Sequence, residues 1–128
     1  MLQLPSISII VPTYNASRTV RACLDALLAQ DYPKSFCEII VVDNNSCDGT
    51  PEIVRKYPVI LLHKRDIQSS YAARNRGIRQ AQGEIVLFTD ADCIPHPSWT
   101  KRLAEAFSDM SVVGAGGGIL DAEPRNNI

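Results

Sequence analysis

Apolar runs and amphipathic stretches alternate along the chain. Ile7-Ser8-Ile9-Ile10-Val11 is rich in β-branched residues and reads as a strand stopped by Pro12. Val20, Cys23, Leu24, Leu27 and Leu28 then recur at helical spacing, which predicts a helix with one apolar face. Asn15 or Ser17 is placed to cap its start. Glu38 to Val42 predicts a second strand, ending in Asp43. Thr50-Pro51 has the form of an N-cap followed by proline at the first helical position, opening a short helix that ends near Tyr57-Pro58. Val59 to Leu62 predicts a third strand, and Ser70 to Gln82 a helix stopped by Gly83. Ile85 to Phe88 predicts a fourth strand. Pro97 and Ser98 open a helix with Trp99, Leu103, Ala106 and Phe107 on one face, and a last apolar pair, Val112-Val113, runs into the glycine cluster 114–118.

Strands that are apolar throughout and separated by helices imply a parallel sheet covered on both faces. Right-handed crossovers make it an α/β, Rossmann-like, doubly wound fold. Ligands of such sheets bind beyond the carboxyl ends of the strands. That rule sets Pro12, Thr13, Tyr14 and Asn15, the stretch Asp43 to Asp48, and Asp90-Ala91-Asp92 along one rim. The polar residues follow the strands rather than precede them, as a ligand site requires.

Length and composition narrow the partner. The chain has 128 residues, 45% hydrophobic and 21% charged, the profile of one globular domain. A net charge of −1 argues against a nucleic-acid partner. Cys23, Cys37, Cys47 and Cys93 form no C-x-x-C pair and no zinc-ligand spacing, so free thiols in a reducing cytoplasm are expected. No signal-peptide pattern is read at the start, and no apolar run approaches the ~18 residues of a membrane span. A place at the cytoplasmic face of a membrane, within a longer protein, stays open.

Asp90 and Asp92 stand one residue apart after a buried strand. Unpaired carboxylates are costly to bury, so acids ending such a strand sit at its mouth. There they suit a hard divalent cation, Mg²⁺ or Mn²⁺, which takes carboxylate oxygens and commonly completes its shell with phosphates. The plain alternative is a pair of solvated turn residues before Pro95. Asp43 could accept hydrogen bonds from a base or ribose, or simply open a turn among Asn44, Asn45, Ser46, Asp48 and Gly49. Asp48 is expected to steady that loop or the helix after it. Arg74 could grip a phosphate with its planar fork, whereas Arg76 and Arg79 read as a solvated helix face. His63 ends a strand, and His96 lies four residues past Asp92 with no partner at triad or metal spacing. There is no G-x-S-x-G elbow, no G-x-G-x-x-G after the first strand and no P-loop, which disfavours hydrolases of that type, dinucleotide enzymes and P-loop NTPases.

Four stretches in order, "SIIVPTYNA", "EIIVVDNNSCDGT", "AARNRGI" and "VLFTDADCIP", resemble the inverting family 2 glycosyltransferases of GT-A fold, over about residues 6–120. The resemblance implies a nucleotide-diphosphate sugar as donor, UDP-linked by expectation, and an unidentified sugar, lipid or protein as acceptor. It gives Pro12, Thr13, Tyr14 and Asn15 the role of cradling the base, and Asp43 that of hydrogen-bonding uracil. Arg74 would reach toward the nucleotide. Asp90 would lie near the ribose, with Ala91 between the acids and Asp92 as main ligand of a Mn²⁺ or Mg²⁺ ion. Many relatives read D-D-G-S after the second strand where this chain has Asp43-Asn44-Asn45-Ser46. The family's catalytic base lies well beyond D-x-D, and no residue here matches it. Residues 1–128 are therefore expected to be a nucleotide-sugar-binding domain without the acceptor-binding part.

Two other readings remain on the sequence. A haloacid-dehalogenase-like phosphatase also follows an apolar strand with D-x-D, but that motif usually comes early in the chain and is followed by a lysine and further acids. A non-catalytic nucleotide-sugar-binding module would keep the rim and lack the base.

Overall fold

The computed structural model describes residues 4–107. In them strands and helices alternate: β1 (Ile7–Thr13), α1 (Val20–Leu28), β2 (Cys37–Asp43), α2 (Thr50–Val54), β3 (Ile60–His63), α3 (Ser70–Gln80), β4 (Ile85–Phe88) and α4 (Trp99–Ala106). The four strands form one sheet in the order β3-β2-β1-β4, and every pairing is parallel. This is the expected doubly wound α/β architecture.

Alternation along β1 builds two cores. Ile7, Ile9 and Val11 point to one face, where they join Cys23, Leu24 and Leu27 of α1 and Trp99 and Leu103 of α4. Ile10 points to the other, with Ile40 and Val42 of β2 and Ala73 of α3. Each fully buried aliphatic side chain contributes about 1.5–3 kcal/mol by leaving water. β1 is buried along its whole length, which explains why its sequence is apolar without a solvent face.

The strand order creates the site. From β1 the chain winds outward through β2 to β3, then crosses to β4 on the far side of β1. The crossovers therefore diverge between the carboxyl ends of β1 and β4, leaving a crevice there.

Several expected boundaries move, each for a local reason. β1 does not stop at Pro12 but runs through it to Thr13. Ile10 O, which shares the backbone direction of Pro12, accepts a hydrogen bond from Thr89 N, while β4 pairs with β1 only up to Ile10. The donor that proline lacks thus faces space beyond the end of β4 and costs no ladder bond. Neither Asn15 nor Ser17 caps α1, whose N-cap is Thr19 with no side-chain bond. Thr50 is the first residue of α2, and the cap is Gly49 at φ 89°. β3 is shifted by one residue, to Ile60–His63. α3 ends at Gln80 rather than at Gly83. Gly83 serves a different purpose: a Cβ there would lie 2.6 Å from Ser8 N and 2.7 Å from Ile7 C. It lets the α3–β4 connection lie against β1, where Gly83 N donates to the buried Ser8 Oγ at 2.8 Å. In α4 the buried set is Trp99, Thr100, Leu103 and Ala104, with Ala106 and Phe107 only half-buried. The Val112-Val113 stretch and the glycine cluster lie outside the described residues.

Candidate functional site

The crevice between β1 and β4 is a groove of ≈ 670 Å³. Pro12, Thr13, Tyr14 and Asn15 form one wall, Asp90, Ala91 and Asp92 another, and Asn44, Asp48 and Ser70 also reach it. Seven of the nine predicted site residues meet in one place.

The acidic loop is shaped by its middle residue. Ala91 is buried in the core cluster of α1 and α4, while its neighbours Asp90 and Asp92 are exposed. A small apolar residue facing inward thus turns both carboxylates outward. The backbone is held on every side. Thr89 N donates to Ile10 O at 3.2 Å, and Cys93 N to Asp90 O at 3.0 Å. Gln30, buried at the end of α1, donates through Nε2 to His96 O at 2.8 Å and accepts from Thr100 N and Oγ1. Asp31 N donates to Pro97 O at 2.8 Å. These contacts fix the loop that carries the acids to α1 and α4.

One ligand atom each from Asp90, Asp92 and Cys93 lies within 4.8 Å of the others. The two carboxylates are hard oxygen donors open to solvent, so the donor set fits Mg²⁺ or Mn²⁺. Cys93 is a poor third ligand for such an ion, since a soft sulfur donor suits Mg²⁺ or Mn²⁺ less well than carboxylate oxygen does. The Cys23 thiol beneath the loop is pushed up to about 12, chiefly by burial and then by the charges of Cys93, Asp92 and Asp90. It donates to Asp90 O at 3.5 Å and acts as a structural contact.

The opposite wall is stitched to the loop after β2. Thr13 Oγ1 donates to Asp43 Oδ1 at 3.1 Å, and Asn44 N to Thr13 O at 2.8 Å. Asn15, at φ 48°, receives Cys47 N on its Oδ1 and donates its own N–H to Ser46 Oγ. Asparagine tolerates that left-handed backbone better than most residues. Ser17 N donates to Asp48 Oδ2 at 3.0 Å, and Thr50 N and Oγ1 both donate to Asp48 Oδ1. These bonds, that from the Thr50 hydroxyl first, lower the Asp48 carboxyl to about 2. Asp48 therefore steadies the loop and the start of α2.

Asp43 is placed differently from the other predicted residues. Its carboxylate is only 2% exposed, and it borders a second hollow of ≈ 350 Å³ with Ser46, Arg55, His63 and Arg65 rather than the main groove. Oδ1 accepts from Thr13 Oγ1 and Ser46 Oγ, and Oδ2 from Ser46 N. It forms the partition between the two hollows. Asn44 has the character of a turn residue, yet it is buried and does more. Its Nδ2 donates to Lys64 O and Ile67 O, both at 2.8 Å, and fastens the β3–α3 connection to the end of β2.

Arg74 stands on α3, which starts cleanly because Ser69 Oγ caps it by accepting from Ala72 N. Its Nη2 lies 3.7 Å from Asp90 Oδ1. Arg76 and Arg79 make no ion pair among those found between described residues; Arg79 is exposed, as a solvated face requires, whereas Arg76 is half-buried. His63 is the last residue of β3, and His96 Nδ1 accepts from Ser98 N at 3.2 Å, which gives it a local capping role.

The family model described as "Glycosyl transferase family 2" matches residues 8–127. Glycosyltransferase AglE of Haloferax volcanii is 43% identical over 127 residues, which span 95% of this chain and 42% of AglE. Among solved structures, the mannosyltransferase PcManGT of Pyrobaculum calidifontis, in complex with GDP-Man and Mn²⁺, superposes with a TM-score of 0.81 at 35% identity. The match covers 86% of this chain and 34% of that one. Residues 1–349 of Staphylococcus aureus TarS, in complex with UDP-GlcNAc, give 0.69 at 38% identity, over 82% of this chain and 31% of that one. The chain thus spans less than half the length of AglE and about a third of these solved chains.

Proposed function

The chain belongs to glycosyl transferase family 2, and from that premise we propose that it binds the donor of a glycosyl transfer, a nucleotide-diphosphate sugar, together with a divalent cation. The phosphatase alternative gives way to that membership. One observation carries the reading: the groove at the divergence of β1 and β4 holds both the Pro12–Asn15 wall and the outward-facing Asp90 and Asp92. A groove with carboxylates at one end and backbone plus aromatic surface at the other suits a ligand that is anionic in the middle and planar at one end.

In this reading Asp92 and Asp90 would hold Mn²⁺ or Mg²⁺, which when bound would supply Lewis-acid neutralisation of the leaving diphosphate. Tyr14, 54% exposed on the groove wall, offers a face for the base. Asp43, buried behind Thr13 and bonded to Thr13 and Ser46, supports the base-binding wall from the second hollow rather than reaching the base itself. UDP is the preferred nucleotide, since TarS binds UDP-GlcNAc at 38% identity, and GDP is the alternative that PcManGT presents. Sugar transfer to an acceptor is the activity proposed for the protein as a whole. The cytoplasm, where nucleotide sugars and reduced thiols coexist, is its proposed location.

Thermal unfolding with UDP or GDP, each with Mn²⁺ or with EDTA, tests the reading. A ligand at 100 times its dissociation constant stabilises the fold by about 2.7 kcal/mol. The midpoint is expected to rise with UDP plus Mn²⁺ and to fall back with EDTA. Asp92→Asn should keep the fold and lose most of the shift. No shift with either nucleotide would overturn the reading.

A further inference from the structure

The contact between Arg74 and Asp90 leads beyond donor binding, though it rests on that reading. The ion pair joins α3 to the acidic loop at 3.7 Å, and Arg74 Nη1 also donates to Ser70 Oγ at 3.5 Å. The reach of Arg74 is set by the backbone. α3 packs on β1 at Gly77, where a Cβ would come within 2.6 Å of Ile10 Cγ2. Arg74 lies close to one turn before that point. A helix held this near the sheet brings its guanidinium to the end of β4, where Asp90 begins. Among the described residues the ion pairs include Asp90 and not Asp92.

We propose that Arg74 is the counter-ion of the acidic pair and makes cation binding conditional on the nucleotide. With the guanidinium against Asp90, the two carboxylates present about one net negative charge to an incoming divalent ion instead of two. A diphosphate offers that guanidinium oxygens it can grip with both arms, which a single carboxylate oxygen at 3.7 Å does not. Arg74 turns from Asp90 to the phosphate, and Asp90 is released to the ion. Ion and nucleotide therefore tighten each other, and by linkage the factor is the same in both directions. Such a groove takes up the metal–nucleotide complex in preference to the bare metal, which keeps its acids from being held by free cations.

The test is a Mn²⁺ titration followed by electron paramagnetic resonance, without and with UDP, on the wild-type chain, Arg74→Gln and Arg74→Lys. Both side chains of the pair are well exposed, at 37% and 64%, so the substitutions leave the fold intact, as circular dichroism will check. Arg74→Gln is expected to bind Mn²⁺ alone on the order of two- to tenfold more tightly than wild type, the scale of an exposed pair plus the removed repulsion. The factor by which UDP tightens Mn²⁺ should shrink. Arg74→Lys, which keeps the charge, should retain wild-type affinity for Mn²⁺ alone. If wild type gains Mn²⁺ affinity from UDP while Arg74→Gln binds Mn²⁺ alone no better than wild type, the counter-ion role is wrong and donor binding stands. If wild type gains nothing from UDP, donor binding falls and this role falls with it.

Discussion

Replacing Asp43 by alanine removes the partition between the two hollows, and its cost can be worked out bond by bond. The carboxylate accepts from Thr13 Oγ1 at 3.1 Å, Ser46 Oγ at 2.6 Å and Ser46 N at 2.9 Å. The two hydroxyls can turn elsewhere: Thr13 Oγ1 already lies 3.5 Å from Val42 O. The Ser46 N–H is fixed by the backbone and has no such freedom. A stranded half-buried donor costs about 1 kcal/mol or more, and with partial losses at the hydroxyls the total for Asp43→Ala is about 2–4 kcal/mol. That is a large share of the ~5–15 kcal/mol by which domains are stable. Asp43→Asn is a sharper control. Its amide oxygen can meet Ser46 N while its NH₂ donates to the two hydroxyl oxygens, so the expected cost is about 1 kcal/mol or less. Urea unfolding measures both. With a slope of about 2 kcal/mol/M, Asp43→Ala should lower the midpoint by roughly 1–2 M at unchanged slope. An alanine variant as stable as wild type would refute the accounting, and an asparagine variant as damaged as alanine would show that charge, not acceptor geometry, holds the loop.

Two glycines separate contact from backbone strain. Gly83→Ala drives a Cβ into backbone atoms at 2.6 and 2.7 Å and should cost at least about 1–3 kcal/mol, whereas Gly49→Ala has open space and only its φ of 89° to oppose it, about 1 kcal/mol; differential scanning calorimetry should rank Gly83→Ala as the less stable. The Asp48 carboxyl is depressed in the folded chain to about 2, from an ordinary 3.8. Its contribution is therefore fully present above about pH 4 and is lost as pH falls through about 2. Stability measured from pH 5 to pH 2 should fall less steeply in Asp48→Asn than in wild type, and parallel curves would refute the assignment.

The strands and the rim were readable because buried parallel strands leave long β-branched runs, as in β1 and β2, and because their polar followers mark the carboxyl ends. Asp90-Ala91-Asp92 was readable for the same reason, although nothing in the triplet itself says that Ala91 is the buried anchor. Less was visible where a residue's purpose is a contact far along the chain. Gly83 looks like a helix stop, but it is required by the backbone of Ser8, 75 residues earlier. Asn44 and Gln30 look like turn and surface residues, yet each joins loops that only the fold brings together. Pro12 was misread as a strand breaker because the missing hydrogen bond matters only if a neighbour is there to receive it, and β4 has ended by then. The separation of Asp43 from the main groove was likewise invisible, since strand order sets the rim and side-chain packing sets the walls.

Paramagnetic broadening can locate a metal-bound nucleotide between the ends of β1 and β4. Amide signals of the isotope-labelled chain would be recorded with UDP and Mg²⁺, and again with a trace of Mn²⁺ in its place. Signals of Asp90 to Cys93, and of the facing Thr13 to Asn15, should vanish first, while those of Glu52 and Arg55 beside the second hollow persist. Broadening that spares the Asp90–Cys93 loop, or that centres on the second hollow, would contradict that placement.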